Sequence, residues 1–153
     1  MADTTTNAEL SERLCSWLQP RIAGAQQLGI SEFTSPDAGA SNETLLFTAR
    51  WQQDGETREQ GLVARLQPTD EGLFPRYNLA LQFHAMKALA GSGVPVPVMI
   101  GLEEDESILG RPFYVMERVD GRYLADNPPY NMGGWLTECS PEERAAIWRN
   151  AIC

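Results

Sequence analysis

The dipeptide Asp54-Gly55 lies between two segments whose side chains have the two-residue spacing of pleated strands, as in Leu62, Ala64 and Leu66. Asp-Gly favours a two-residue hairpin loop because both loop residues need a left-handed backbone, which these residue types tolerate. The flanking segments should therefore pair as antiparallel strands. Together with a short β-like segment before them, they predict a three-stranded meander at residues 30–34, 43–51 and 61–66.

A helix and two further strands are expected after the meander. Apolar residues recur at the spacing of one helical face over residues 77–90, and glycines end that helix. Gln82 lies on the flank of this face, where a polar side chain needs a hydrogen-bond partner. With strands at residues 98–102 and 113–119, the predicted fold is α+β: a five-stranded antiparallel sheet with one packed helix between its third and fourth strands.

Helices are also predicted at both ends of the chain. Apolar residues recur at helical spacing over residues 7–19, and Pro20 ends that helix. Near the C-terminus, Ser140 and Glu143 have the spacing of a capping box, and Pro141 suits the first helical position. We therefore expect three parts: an N-terminal helical extension (1–28), a sheet domain (29–120), and a linker with a final helix (121–153).

Composition limits the classes of function. The 153 residues are 42% hydrophobic, which is enough for one domain with a core, and they carry a net charge of −9. Nucleic acids and anionic membranes repel an acidic chain without a basic patch, so we expect neither as a partner. A single histidine, His84, favours a helix-surface imidazole over a catalytic triad or a histidine-rich metal site. Three scattered cysteines, no cleavable signal sequence and no membrane-spanning apolar run indicate a cytoplasmic protein.

Several short segments become informative when they are taken in order. They include residues 62–68 (Leu-Val-Ala-Arg-Leu-Gln-Pro), 73–75 (Leu-Phe-Pro), 93–97 (Gly-Val-Pro-Val-Pro) and 109–121, with further matches near residues 130, 135 and 148. In this order and spacing they resemble the N-terminal lobe of the aminoglycoside phosphotransferase and choline kinase superfamily, and most of all its large bacterial branch. The resemblance implies a protein-kinase-like lobe that binds ATP with Mg²⁺ for phosphoryl transfer to a hydroxyl.

The resemblance assigns roles near the phosphates to four residues. Ser41 and Asn42 would lie in the loop that folds over the phosphates, although this segment could equally be an ordinary hairpin connection. Arg65 stands where protein kinases have a lysine that bridges the phosphates to a helix glutamate. Arginine keeps the charge and can bind phosphate bidentately, but an exposed strand arginine is the alternative. Gln82 stands at the glutamate position and, being neutral, can hydrogen-bond Arg65 but cannot neutralise it.

The resemblance also implies an adenine site at the end of the last strand. Backbone C=O and N–H groups of Glu117 and Val119 would hydrogen-bond an adenine edge, and Met116 would line the back of the pocket. Backbone roles accept any side chain, so these residue types do not test the assignment. Strand alternation by itself predicts plain packing, with Phe113, Val115 and Glu117 on one face and Tyr114, Met116 and Arg118 on the other.

The groups that perform the transfer in this family are not in the sequence. A His-Gly-Asp…Asn loop and a later Asp motif of the C-terminal lobe supply the base and the Mg²⁺ ligand there, and neither motif occurs here. We interpret the acidic run at residues 103–106 as a solvated turn. We therefore expect a truncated lobe that is inactive alone, from a phosphotransferase with an unknown small-molecule acceptor. The apolar stripe of the final helix predicts self-association.

Two other interpretations stay open. A non-catalytic interaction module could use the same lobe as a scaffold, with Gln82 as a sign that nucleotide handling has relaxed. An unrelated α+β binding domain would require every ordered match to arise by chance. Fold analogy assigns no acceptor in any of these cases.

Overall fold

The computed structural model describes residues 7–35, 43–68, 78–124 and 129–152. It forms two compact units, a sheet unit (Met1–Val119) and a C-terminal unit (Asp120–Cys153). The elements of the sheet unit are α1 (Asn7–Leu18), β1 (Gln26–Ile30), β2 (Glu43–Gln53), β3 (Glu56–Leu66), α2 (Leu79–Leu89), β4 (Met99–Glu103) and β5 (Phe113–Glu117). Within the described ranges, no helix is both long and apolar enough to cross a membrane.

The five strands form one antiparallel sheet in the order β1-β2-β3-β5-β4. Helix α2 lies between the third and fourth strands in the chain. The predicted α+β class and five-stranded antiparallel sheet are therefore confirmed. Strands β3 and β5 occupy the middle of the sheet, where each has a neighbour on both sides.

The β2–β3 hairpin is the longest pairing and turns where the sequence predicts. Gln53 pairs with Glu56, which leaves Asp54 and Gly55 as a two-residue loop. Both loop residues have a left-handed backbone, with φ of 53° and 80°. This is the geometry that Asp-Gly tolerates best, so the loop fixes the register of two long strands.

The predicted position of the first strand, residues 30–34, is wrong. Strand β1 spans Gln26–Ile30, and after it only Thr34 forms an isolated bridge, with Leu46. The register of β1 against β2 shifts between Gln26 and Gly29, and Gln27 has a φ of 52°. An irregular edge strand with mostly exposed side chains does not show the alternation on which the prediction depended.

The sheet is covered on both faces, and we name each face after its helix. The α1 face carries the larger apolar cluster, which consists of Leu14, Trp17, Leu18, Phe47, Ala49, Trp51, Leu62, Ala64, Leu66, Leu109, Phe113 and Val115. The α2 face carries Leu79, Phe83 and Tyr114, with Met86, Met99, Leu102 and Met116 packed against them. Because side chains alternate along a strand, β5 contributes Phe113 and Val115 to the first cluster and Tyr114 and Met116 to the second.

A polar contact joins α1 to the edge strand β4. The indole N–H of Trp17 donates to Glu103 Oε2 at 2.8 Å, and the Arg21 guanidinium lies 3.8 Å from the centroid of the Trp17 ring. Arg21 also approaches the Glu103 carboxylate at 3.6 Å and donates to the Trp17 C=O at 2.7 Å. Glu103 is therefore an anchor for α1 and not a member of a solvated turn, which corrects the interpretation of the acidic run.

The C-terminal unit contains α3 (Trp135–Glu138) and α4 (Pro141–Ile152). Ser140 and Glu143 form the predicted capping box: the Ser140 N–H donates to Glu143 Oε2 at 2.8 Å, and the Glu143 N–H donates to Ser140 Oγ at 3.2 Å. Among residues 129–150 of this unit, Leu136 is the only buried hydrophobic residue. Trp148 contacts the ring of Tyr130 but is 47% exposed.

We predict that Gly101→Ala destabilises the protein by about 1–3 kcal/mol, because a new methyl group overpacks the α1 face. A Cβ at Gly101 would lie 2.9 Å from the Trp17 ring, which the hydrogen bond to Glu103 holds in place. Urea unfolding measures the effect. The matched control is Gly29→Ala on the other edge strand, where a Cβ meets nothing within 4 Å. Equal stability of the two variants would contradict the tight packing of Trp17 on Gly101.

Glu103 should also make stability depend on pH in the acid range. The Asp105 backbone N–H, the Trp17 indole and the Arg21 charge stabilise the carboxylate and lower the pKa of Glu103. This contribution is present above the unfolded pKa of about 4.3 and is lost as pH falls through the lower folded pKa.

We therefore predict that Glu103→Gln lowers the free energy of unfolding at pH 7, and that its difference from the parent protein shrinks toward pH 3. Urea unfolding across this pH range measures the difference. Glu104→Gln, at the exposed neighbouring residue, is the control. A difference that stays constant with pH would show that the carboxylate charge is not what anchors Trp17.

Candidate functional site

The middle of the sheet places two candidate residues, Arg65 on β3 and Met116 on β5, on the face that α2 covers. In the β3–β5 pairing, Arg65 lies opposite Tyr114, and Val63 lies opposite Met116. Directly opposed residues share a face, and Tyr114 and Met116 both pack on the α2 face. The register of two central strands therefore places Arg65 on the same face as helix α2, at the side of a buried tyrosine.

Arg65 is not a freely solvated surface side chain. Its strand neighbours Ala64 and Leu66 are buried on the α1 face. Arg65 itself is only partly exposed, and its Nε atom is buried. A guanidinium whose inner end is buried keeps a restricted orientation, which favours a directed interaction of its outer nitrogens with an anion.

Gln82 finds its partner on the same face. It lies in the first half of α2, and its side-chain oxygen accepts a hydrogen bond from the Tyr114 hydroxyl at 3.4 Å. This satisfies the expectation that a polar residue on the flank of the buried face needs a partner. The helix is set in place just before this point, because Asn78 accepts the Leu81 N–H at 2.8 Å and caps it.

Tyr114 is the residue that sequence reasoning missed. Strand alternation predicted it as plain packing, yet it lies opposite Arg65 in the strand pair and its hydroxyl donates to Gln82 on α2. Its side chain is 1% exposed. Burial raises the pKa of the Tyr114 phenol, against a smaller lowering by the Arg65 charge, so the hydroxyl stays a neutral donor. The available signal was a hydroxyl at an inward-facing position, since a buried tyrosine O–H needs an acceptor.

The three candidate residues at the end of β5 have different surroundings. Met116 packs against the α2-face cluster. The Glu117 N–H donates to the Val98 C=O at 2.8 Å, so this amide belongs to the sheet. Val119 lies beyond the end of β5, and its side chain is 70% exposed. The structure thus groups Met116 with Tyr114 and places Val119 at the margin of the sheet unit.

Arg118 adds a second cation to this part of the sheet. Its N–H donates to the Gly61 C=O at 2.9 Å, and its guanidinium lies over Gly61, where a Cβ would come within 2.8 Å of the Arg118 Cζ. Gly61 and Val63 are two residues apart on β3, so they share the α2 face. The sequence showed Arg118 only as one member of an alternating strand, with no sign of this packing.

Ser41 and Asn42 lie outside the described residues. In the part of the chain that the structure describes, no group of three or more His, Cys, Asp or Glu side chains could hold a metal ion. The described residues of the site therefore offer two cationic side chains, a neutral hydrogen-bonded pair and a strand end, which suit binding of an anionic ligand and provide no acid–base pair.

Comparison with known proteins decides the family. The family model described as "Phosphotransferase enzyme family" matches residues 32–151. The chain belongs to this family. The match includes all five candidate residues within the described ranges as well as Ser41 and Asn42, and it confirms the family resemblance deduced from the ordered motifs.

Individual relatives support the same assignment. A solved structure from Ralstonia eutropha JMP134, provisionally described as an aminoglycoside phosphotransferase, is 33% identical, with a TM-score of 0.53 over 72% of this chain and 28% of that one. Acyl-CoA dehydrogenase family member 10 of Mus musculus is 37% identical over 127 residues, which are 83% of this chain and 10% of that protein. Acyl-CoA dehydrogenase family member 11 of Homo sapiens is 30% identical over 140 residues, 90% of this chain and 16% of that protein.

The chain thus spans a small part of the curated relatives it matches. A dehydrogenase name that belongs to a much longer protein gives no activity to the matching segment. What the family membership establishes for this chain is a phosphotransferase-like, kinase-related scaffold.

Proposed function

We propose that this chain is the ATP-binding lobe of an Mg-ATP-dependent phosphotransferase that acts on a hydroxyl of a small molecule in the cytoplasm. The observation that carries the proposal is the β3–β5 register, which sets Arg65 beside Tyr114 on the α2 face. Family membership supplies the reaction class. The chain has a net charge of −9, so its overall charge does not attract an anionic nucleotide. A partly buried cation such as Arg65 is therefore the local feature that supports nucleotide binding at this place.

The candidate residues other than Gln82 each have a role in nucleotide binding in this proposal. Arg65 would bind the phosphates through its outer guanidinium nitrogens, which can form two parallel hydrogen bonds to phosphate oxygens. Met116 would contact the adenine, with the Glu117 carbonyl and the Val119 N–H on its polar edge. The Glu117 amide is already bonded to Val98, so the carbonyl is the group that Glu117 would offer. Ser41 and Asn42 would complete the phosphate site from the preceding loop.

We do not assign the chemistry of phosphoryl transfer to the described residues of this chain. The described residues hold no acidic cluster for Mg²⁺, and the sequence lacks the His-Gly-Asp motif with which the family supplies its base. When bound, Mg²⁺ would neutralise phosphate charge. We therefore propose that this chain binds and orients the nucleotide but does not transfer phosphate by itself, since half of a catalytic arrangement lacks the positioning on which phosphoryl transfer depends.

One observation favours a second candidate, a non-catalytic interaction module. Gln82 carries no charge, so the ion pair that the kinase resemblance implies with Arg65 cannot form. A scaffold that no longer binds ATP would tolerate such a change. The two candidates differ in one measurable property, which is the affinity of this chain for Mg-ATP.

We predict saturable binding of Mg-ATP, followed by the fluorescence of the four tryptophans or by calorimetry. Arg65→Ala should weaken binding roughly ten- to a hundred-fold, because it removes charge-assisted hydrogen bonds to phosphate. The matched control is Arg50→Ala on β2, since Arg50 is largely exposed and already paired with Glu59 at 2.6 Å. Absence of binding at millimolar ATP would reject the nucleotide lobe and leave the interaction module.

We also propose that the chain self-associates through α4, because Trp148 is a large apolar side chain that is 47% exposed on this helix. Sedimentation velocity should show a concentration-dependent dimer or larger species that Trp148→Gln abolishes. Arg149→Gln, at the exposed residue next in the helix, is the control. A monomer at all concentrations, or association that survives Trp148→Gln, would contradict this assignment.

A further inference from the structure

The α2 face contains a connection that the family resemblance does not describe. Tyr114 is buried at the centre of the sheet, directly across from Arg65 on β3, and its hydroxyl donates to Gln82 on α2. The two residues that would correspond to an ion pair are thus both neighbours of one neutral phenol. Tyr114 is therefore the side chain on which β3, β5 and α2 converge.

We infer that Tyr114 is a positioning residue, which orients Arg65 toward the nucleotide by tying Gln82 of α2 to the centre of the sheet. This inference rests on the proposed function for its nucleotide, but the tie itself is a property of the free protein. The kinase resemblance implies an ion pair between α2 and β3. Here an uncharged hydrogen bond, from Tyr114 to Gln82, links α2 to the sheet. Gln82 itself adds no charge to this link, because its amide is neutral.

Packing explains why the phenol can hold this position. The Tyr114 ring contacts Phe83, one residue after Gln82, with ring centroids 6.2 Å apart. Two contacts on adjacent residues of α2, one apolar and one polar, fix both the distance and the rotation of the helix relative to β5. Since Arg65 lies opposite Tyr114 in a fixed register, the ring also limits the space into which the buried part of the arginine can turn.

The test separates positioning from simple loss of packing. Tyr114→Phe keeps the ring and its contact with Phe83 and removes only the hydroxyl, while Gln82→Ala removes the acceptor. Each should weaken Mg-ATP binding roughly three- to ten-fold, as expected for one neutral hydrogen bond that orients a binding group. The double variant should be no weaker than either single one, because both act through the same bond.

Two further variants show whether the effect passes through Arg65. In an Arg65→Ala background, Tyr114→Phe should cause no further loss of affinity. Gln82→Glu should retain affinity relative to Gln82→Ala, since a carboxylate also accepts the Tyr114 hydroxyl. Tyr123→Phe, at a tyrosine that is 73% exposed, is the control for loss of a hydroxyl.

A second readout does not need the nucleotide. The Nε–H of Arg65 is buried, so its proton NMR signal should be protected from exchange with water and can be assigned by its loss in Arg65→Lys. Tyr114→Phe and Gln82→Ala should both shift this signal in the free protein. A shifted signal without any Mg-ATP binding by the parent protein would support the positioning role and reject the nucleotide function.

The inference is overturned by either of two results. One is that the Arg65 Nε–H signal does not change in Tyr114→Phe and Gln82→Ala, even where the parent protein binds Mg-ATP. The other is that Tyr114→Phe weakens binding by the same factor with and without Arg65, which would show that the hydroxyl acts on the ligand independently of the arginine. Urea unfolding of each variant shows whether loss of fold accounts for a change in affinity.

Discussion

Burial of β3 and β5 on both faces is the constraint on which the other features depend. On β3, Leu62, Ala64 and Leu66 pack on the α1 face, and Arg65 lies between them on the other. A slip of one residue would put the arginine into the larger apolar cluster and move the leucines and the alanine to the α2 face. Burying an unpaired guanidinium among apolar side chains costs several kcal/mol, so the hydrophobic alternation fixes where the cation can lie.

The two faces of the sheet carry different kinds of interaction. The α1 face is large and apolar, and the polar anchor formed by Trp17 with Glu103 and Arg21 lies at the edge of the sheet. The α2 face is smaller and contains Tyr114, Gln82 and Arg65, whose polar groups need partners. Changes on the α1 face should therefore affect chiefly the free energy of unfolding, while conservative changes on the α2 face should affect chiefly ligand binding.

The sequence predicted those features that local chemistry determines. The hairpin at Asp54-Gly55, the capping box at Ser140 and the place of α2 all depend on residues within a few positions of one another, and the structure confirms them. The family followed from the order of short motifs, each of which is weak alone.

The features that the sequence did not predict depend on distant partners. Strand β1 is an irregular edge whose pairing is set by β2 and not by its own alternation. Glu103 looked like part of a solvated acidic run because its partner Trp17 is 86 residues away. Tyr114 looked like core because the spacing that places it inward does not reveal that Gln82 and Arg65 lie beside it. In each case the missing information was a tertiary contact.

Gln82 has a different meaning once Tyr114 is taken into account. The amide is neutral, so it cannot form with Arg65 the ion pair that a glutamate at this position would form. The helix is still tied to the sheet, because the Tyr114 hydroxyl bonds the amide oxygen. A neutral tie also avoids the desolvation that a buried carboxylate would require. The absence of an ion pair between Gln82 and Arg65 is therefore compatible with a helix that is held on the sheet, and a neutral residue on α2 is not by itself an argument that nucleotide binding has been lost.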